Sequence, residues 1–282
     1  MADPVKLRSL RGRDRDAACA LLERRSRENL YLLDLVAQQG GAPQPGEPRA
    51  ECLGAWRGDE LASVLSLRPS IAFAADADAA VIAALVPYAD LPGGGLVKSD
   101  VRAVARLWSG LAARGRRALL DRLETAHALE PGGASRVAPP PAARVRPARA
   151  ADLDLLVEAA RASLVEEHRP DPFEGDPEGF LRWVSGRIPR ALVVETGGRV
   201  VFVGYADVRR PQGFLLQGIY TWPEFRRRGL AAAGVSVLCE LAFAAGAAHV
   251  QLAVVDGNLA AERLYQSLGF KPFAKLRTIL FG

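Results

Sequence analysis

The sequence predicts an α/β protein built as two domains, and three observations lead there. Strand-like and helix-like segments alternate along the whole chain, with hairpins early in each half and a β-α-β-α-β run late. At 282 residues the chain is long for one domain and comfortable for two of about 140 each. Almost at its midpoint lies Pro131-Gly132-Gly133-Ala134-Ser135, followed by Val137-Ala138-Pro139-Pro140-Pro141-Ala142. Consecutive prolines fit neither a helix interior nor a central strand, so 131–142 reads as an extended linker between domains 1–130 and 143–282.

The two halves open alike. Val5–Leu10 alternates as a short strand, and Arg13-Asp14 leads into a helix carrying Ala17, Ala18, Leu21 and Leu22 on one face. After the linker, Arg144–Ala148 is again a strand, and Ala151-Asp152 opens a helix with Leu153, Leu156 and Val157. The repeated opening suggests an internal duplication. The first half continues with strands Glu51–Trp56 and Leu61–Leu67, joined across Arg57-Gly58-Asp59-Glu60. Strand Ile71–Ala74, a helix near Asp76–Val86, Gly93-Gly94-Gly95, strand Leu96–Lys98 and a helix near Ser99–Arg114 follow.

In the second half the first helix runs to about Glu167, and another spans about Pro177–Val184. Strands Ala191–Glu195 and Val200–Val208 flank the turn Thr196-Gly197-Gly198-Arg199. Strand Phe214–Thr221 leads through Arg226–Gly229 into a helix ending near Ala245. Strand Val250–Val255, helix Asn258–Leu268 and a strand around Ala274–Phe281 complete the chain.

Composition narrows the functional classes. With 49% hydrophobic residues the chain can bury ordinary cores, and no apolar run approaches the roughly 20 residues of a membrane span. The start, MADPVKLRSLRGRDRD, carries charges where a signal peptide has its apolar region, so a cytoplasmic protein with no membrane partner is expected. The formal charge of +5 is diffuse. Residues 1–142 hold 19 basic and 17 acidic side chains, and the remainder 18 and 15. That favours anionic ligands mildly and does not suggest nucleic acid as a partner. Cys19, Cys52 and Cys239 have no metal-ligand spacing, so they read as small core residues and no metal is expected.

The chemistry concentrates in Ile219-Tyr220-Thr221-Trp222-Pro223-Glu224-Phe225-Arg226-Arg227-Arg228-Gly229-Leu230-Ala231-Ala232. A strand ends, Pro223 breaks the ladder, and a basic turn enters a long helix. The first helical turn leaves N–H groups without partners and attracts anions. Gly229, Ala231 and Ala232 keep the approach open, and three arginines add charge. The segment reads as a cradle for a pyrophosphate. Strand Val250–Val255 then ends at Asp256-Gly257-Asn258, and the following helix closes on Gly269-Phe270.

These segments resemble the GCN5-related N-acetyltransferases (GNAT). The family's acyl-CoA loop, Arg/Gln-x-x-Gly-x-Gly/Ala, is matched by Arg226, Gly229 and Ala231. Its later Asn…Ala…Leu-Tyr…Gly-Phe run is matched by Asn258, Ala261, Leu264, Tyr265, Gly269 and Phe270. The resemblance covers about 143–282 and extends to tandem members with a divergent N-terminal copy. Arg227 stands where the family often has glycine. The implied fold is two GNAT-like domains, each a mixed, mostly antiparallel sheet flanked by helices.

The resemblance implies acetyl-CoA, or another short acyl-CoA, as co-substrate and a small-molecule amine as acceptor. Ile219, Tyr220 and Thr221 would pair with the pantetheine amides. Backbone N–H groups of Arg227, Arg228, Gly229, Leu230, Ala231 and Ala232, behind Arg226, would hold the pyrophosphate. Asn258 would hydrogen-bond the pantetheine arm, and Tyr265 would protonate the departing thiolate, since a phenol's pKa lies near that of a thiol. Glu167 or His168, before Arg169-Pro170-Asp171, would act as base. A non-catalytic acyl-CoA-binding module, and acylation of a protein or tRNA, are the competing readings; the oligomeric expectation is a monomer or homodimer. The first half has no such loop: Gly93–Gly95 precedes a strand, and Arg11-Gly12-Arg13 holds one glycine. Domain 1–130 is therefore expected to lack acyl-CoA binding. Glu195, His127 and His249 read as structural.

Overall fold

The computed structural model describes residues 4–39, 49–133 and 135–282, so Ala134 of the expected linker lies outside the described residues. The described chain forms two compact units. One comprises 4–39, 49–126 and 273–282, and the other 127–133 and 135–272.

In the first unit, β1 (Val5–Ser9), β2 (Glu51–Arg57), β3 (Glu60–Arg68) and β4 (Ala72–Phe73) form an antiparallel sheet in that order. Helices α1 (Arg15–Glu23) and α2 (Leu30–Ala37) close one core over Leu22, Leu33, Val36 and Val64. Helices α3 (Ala79–Asp90) and α4 (Val101–Ala112) close another over Leu65, Leu85, Val97 and Leu107. Strand β5 (Gly95–Asp100) follows α3, and β6 (Ala118–Leu129) follows α4.

Two strands were not expected in these places. β6 was not anticipated at all, because Ala118–Leu129 alternates weakly and carries Asp121, Arg122 and Glu124 within it. The last strand, β12 (Lys271–Phe281), pairs antiparallel with β5 from Leu276↔Asp100 to Phe281↔Gly95. Ile279 and Phe281 enter the core of the first unit, so residues 273–282, grouped by sequence with domain 143–282, lie with the first unit. The pairing also accounts for the glycine run: a Cβ on Gly94 would stand 2.9 Å from the Phe281 carbonyl oxygen.

Between these strands Glu124 is buried, at 2% exposure. It accepts from Lys98 Nζ at 2.5 Å, Arg122 Nε at 3.1 Å and Thr278 Oγ1 at 2.6 Å. Burial opposes its ionisation, but the Lys98 charge and the hydrogen bonds override that and hold its carboxyl at about 2.

The second unit is the sheet β11-β10-β9-β8-β7, with the end of β6 beside β11. Its strands are β7 (Ala143–Pro147), β8 (Ala191–Thr196), β9 (Arg199–Arg210), β10 (Gly213–Thr221) and β11 (Val250–Val255). All neighbours among β7 to β10 are antiparallel, whereas β10 and β11 are parallel. Helices α5 (Leu153–Glu166) and α6 (Pro177–Arg187) cover one face, burying Leu156, Phe180, Val193 and Tyr205. Helices α7 (Leu230–Ala244) and α8 (Leu259–Ser267) cover the other, over Phe202, Leu238, Leu252 and Tyr265. The opening turn is fixed by Arg146, whose guanidinium donates to both Asp152 oxygens (2.8 and 2.9 Å) and to Glu195 (2.8 Å). Glu195 is thus a partner in a structural ion pair. In the proline-rich stretch the Val137 N–H donates to Ser236 Oγ on α7 at 3.1 Å, and the run ends in a turn closed by Ala143 N–H on Pro140 O at 2.9 Å.

Cys52 and Cys239 are each 1% exposed, and burial pushes their thiols up to about 11 and about 12. Neutral thiols of that kind are packing residues. His249 is buried and paired with Gln251 at 2.8 Å, and His127 is buried on β6. Among the described residues no helix is long and apolar enough to cross a membrane, and no group of three or more His, Cys, Asp or Glu is arranged for a metal ion.

Candidate active site

The site begins where two parallel strands part. β10 and β11 are in register only at Phe214↔Val250 and Leu215↔Gln251, although β10 continues to Thr221 and β11 to Val255. Beyond Leu215 a wedge opens whose β10 edge includes Ile219–Thr221.

On its other side β10 follows β9, but not evenly. Gln217 faces Tyr205 and Tyr220 faces Val203, so Gly218 and Ile219 together oppose the single residue Gly204. This is a bulge, which takes a residue out of the ladder and re-aims its backbone groups. Gly218 has φ +56°, and a Cβ there would meet the Tyr205 ring at 2.9 Å, so glycine is required on both counts. The bulge therefore singles out the backbone of Ile219.

After Thr221 the chain makes a 3-10 turn, Pro223–Phe225, and an exposed loop, Arg226–Gly229, before α7. Arg227 lies at φ +58° and Gly229 at φ +75°. A non-glycine residue in the left-handed region costs about 1–3 kcal/mol and persists where its surroundings hold it. At Gly229 the torsion is the constraint, since an added Cβ would meet nothing nearer than Pro140 Cγ at 3.8 Å. The first α-helical bond is Ala233 N–H to Gly229 O, at 3.0 Å. Backbone N–H groups from Arg227 through Ala232 have no acceptor among the described residues, and Gly229 supplies no side-chain cap. Six adjacent donors at a helix start make an anion site. Arg227 and Arg228 are exposed beside it, with no carboxylate partner among the described residues.

Arg226 behaves differently from its two neighbours. Its Nε donates to the Thr221 carbonyl at 2.9 Å, and its Nη2 reaches both Glu166 oxygens at 2.6 and 2.8 Å. Tyr220 donates its hydroxyl to Glu166 Oε1 at 3.2 Å, and Trp222 Nε1 donates to Glu158 at 2.6 Å. Two carboxylates of α5 thus grip the end of β10. Burial, and then the Glu166 charge, raise the Tyr220 phenol above its usual value.

Glu166 lies one residue before Glu167 and His168, the candidates for the base, and sequence patterning did not single it out. Glu167 and His168 are exposed at the α5 end, and Glu167 accepts from Ser163 Oγ at 3.5 Å. His168 takes the left-handed position after the helix (φ +51°), its N–H bonded to Val165 O and that of Arg169 to Leu164 O. That is a helix-closing motif. Glu166 was missed because one helix end offers two adjacent glutamates. The available signal was the polar handles of Tyr220 and Trp222, which demand partners when buried.

On the opposite side of the wedge, Asn258 caps α8, its Oδ1 accepting from Ala261 N–H at 3.1 Å, and its side-chain NH2 points to no described partner. Tyr265 is 6% exposed and packs edge-on against Phe270 at 5.7 Å. No described residue hydrogen-bonds its hydroxyl. Burial raises its pKa strongly, with the nearby Cys239 adding to the rise, so the phenol stays protonated across the ordinary pH range. The expectation that its pKa lies near a thiol's is corrected by this burial.

In the first unit the helix after β4 starts differently. Asp78 caps α3, accepting from Ala80 and Val81 N–H at 2.9 and 3.0 Å, and it is paired with Arg57. A side-chain carboxylate already fills the position an anion would take.

Residues 154–270 match the model of the Acetyltransferase (GNAT) family. No curated protein matches the chain. Three solved structures similar to it span nearly its whole length. A Drosophila protein solved by X-ray crystallography is 17% identical with a TM-score of 0.75, over 97% of this chain and 98% of that one. A GCN5-related N-acetyltransferase from Sphaerobacter thermophilus is 17% identical with a TM-score of 0.62, over 100% and 96%. A tandem GNAT protein from the clavulanic acid biosynthesis pathway is 13% identical with a TM-score of 0.58, over 98% of each. At these identities the likeness carries the fold.

Proposed function

We propose that the chain, whose residues 154–270 match the model of the Acetyltransferase (GNAT) family, is an acyltransferase that moves the acetyl group of acetyl-CoA to the nitrogen of a small amine. The observation that supports this reading most is the row of open N–H groups from Arg227 to Ala232, directly after the strand that leaves β11.

Those N–H groups hold the pyrophosphate, with Arg227 and Arg228 adding charge. The backbone edge Ile219–Thr221 hydrogen-bonds the pantetheine amides, and Asn258 donates to the same arm. The co-substrate supplies a thioester carbonyl and a thiolate leaving group. The bulge aims the Ile219 N–H at that carbonyl oxygen, where charge develops as the amine attacks. The new C–N bond forms as the C–S bond breaks, and Tyr265 gives its proton to the sulfur. The amine's own proton leaves to water at the α5 end, with Glu167 or His168 as base. The two units then divide the work, and the first does not bind acyl-CoA because Asp78 occupies its helix start.

The test is free-thiol release from acetyl-CoA across a panel of primary amines. Release that rises with one class of amine over the hydrolysis background is expected. Release indifferent to every amine, with acetyl-CoA bound, would mean a non-catalytic acyl-CoA module instead.

A further inference from the structure

Glu166 lies on α5, outside the loop that would meet acyl-CoA, yet two side chains from that side converge on it. Arg226 binds both its oxygens and at the same time holds the Thr221 carbonyl, and Tyr220 donates to Oε1. Arg226 therefore joins the last residue of β10, the first residue of the phosphate loop and the end of α5. Immediately after it comes Arg227 at φ +58°, a conformation that needs an outside constraint. Glu158 holds Trp222 from the same helix, so the segment between the pantetheine edge and the phosphate loop is tied to α5 at two points.

We propose that Glu166 is a positioning residue for acyl-CoA binding. It acts through Arg226 as a latch that sets the loop Arg226–Gly229 in its binding conformation, and Arg226 serves the latch rather than the phosphates. This rests on the acyl-CoA reading of the loop. A planar guanidinium suits the role, because its fork spans a carboxylate and a carbonyl at once, which an ammonium does not. The pair is close to half exposed on both sides, so its loss disturbs the loop more than the fold.

The experiment is a double-mutant cycle read as the Kd for acetyl-CoA by calorimetry, with the melting temperature of each variant measured alongside. Glu166→Gln and Arg226→Gln are each expected to weaken binding about tenfold, since loosening a positioning contact misplaces the groups that bind. The double variant should be no weaker than either single one, because both remove the same latch. Arg226→Lys should not rescue binding. If Glu166→Gln leaves Kd unchanged or tightens it while Arg226→Gln weakens it, Arg226 serves the phosphates directly and the latch is overturned. Where Glu166→Gln loses folding along with binding, the milder Glu166→Asp, which keeps the charge but shortens the reach, repeats the comparison in a folded protein, and an unchanged Kd there overturns the latch. Wild-type protein that does not bind acetyl-CoA removes the underlying reading; binding that is equal in all variants removes the latch alone.

Discussion

If Tyr265 is the general acid, Tyr265→Phe is expected to lower the acyl-transfer rate by about 10²–10⁴-fold, the usual contribution of a positioned general acid, while the KM for acetyl-CoA stays within about twofold of wild type. The structure makes this a clean experiment. No described residue hydrogen-bonds the hydroxyl, so deleting it leaves no buried group unpaired, and the melting temperature should hold or rise slightly. The phenol's raised pKa also fixes the pH behaviour. A group whose pKa is lifted by burial keeps its proton until the pH exceeds that lifted value. The rate should therefore show no alkaline fall from this residue up to about pH 10, where an ordinary tyrosine titrates. Stopped-flow or steady-state thiol release from pH 6 to 10 measures it. A rate in Tyr265→Phe within a few-fold of wild type would remove the general-acid role.

Gly229→Asp should abolish acyl-CoA binding while leaving the fold intact. The torsion at φ +75° is one that aspartate tolerates better than most residues, and an added Cβ would have space. The new carboxylate would stand at the helix start, as Asp78 does at α3, where the N–H groups are already taken. Two like charges about 4 Å apart repel by about 4 kcal/mol at an effective dielectric near 20, so a loss of Kd of at least about 100-fold is expected. Calorimetry measures the binding, and circular dichroism the helix content. Unchanged affinity would place the phosphates somewhere other than this loop.

How much of this could be read in advance varies with the range of the interaction. The loop Arg226–Ala232 is local: a strand end, a proline, a basic turn, a glycine and a helix follow one another within fourteen residues, and each leaves its own mark. The positions of Asn258, the cap of α8, and Tyr265 on that helix are local in the same way. β6 is not local. Its strand character comes from its neighbours in the sheet, and Glu124 sits inside it on a buried carboxylate site that sequence periodicity reads as polar surface. Helix α2 is apolar almost throughout, LYLLDLVA, so periodicity gave no face to recognise. β12 is a plain strand in sequence, but its partner is β5, far earlier in the chain, and only long-range pairing decides that. The charged end of α5 shows the same limit at the site itself. Glu166 and Glu167 are the same letter side by side, and a single residue of helical phase decides which one meets Arg226.

The central claim is that the opening after β10 takes an acyl-CoA, and a thermal-shift titration with acetyl-CoA tests it most directly. Ligand at about 100 times its Kd stabilises the folded state by about 2.7 kcal/mol, which corresponds to a rise of roughly 5–10 °C for a protein of this size. Wild-type protein should show a saturable rise of that order, absent in Gly229→Asp. No rise with millimolar acetyl-, propionyl- or succinyl-CoA would contradict it.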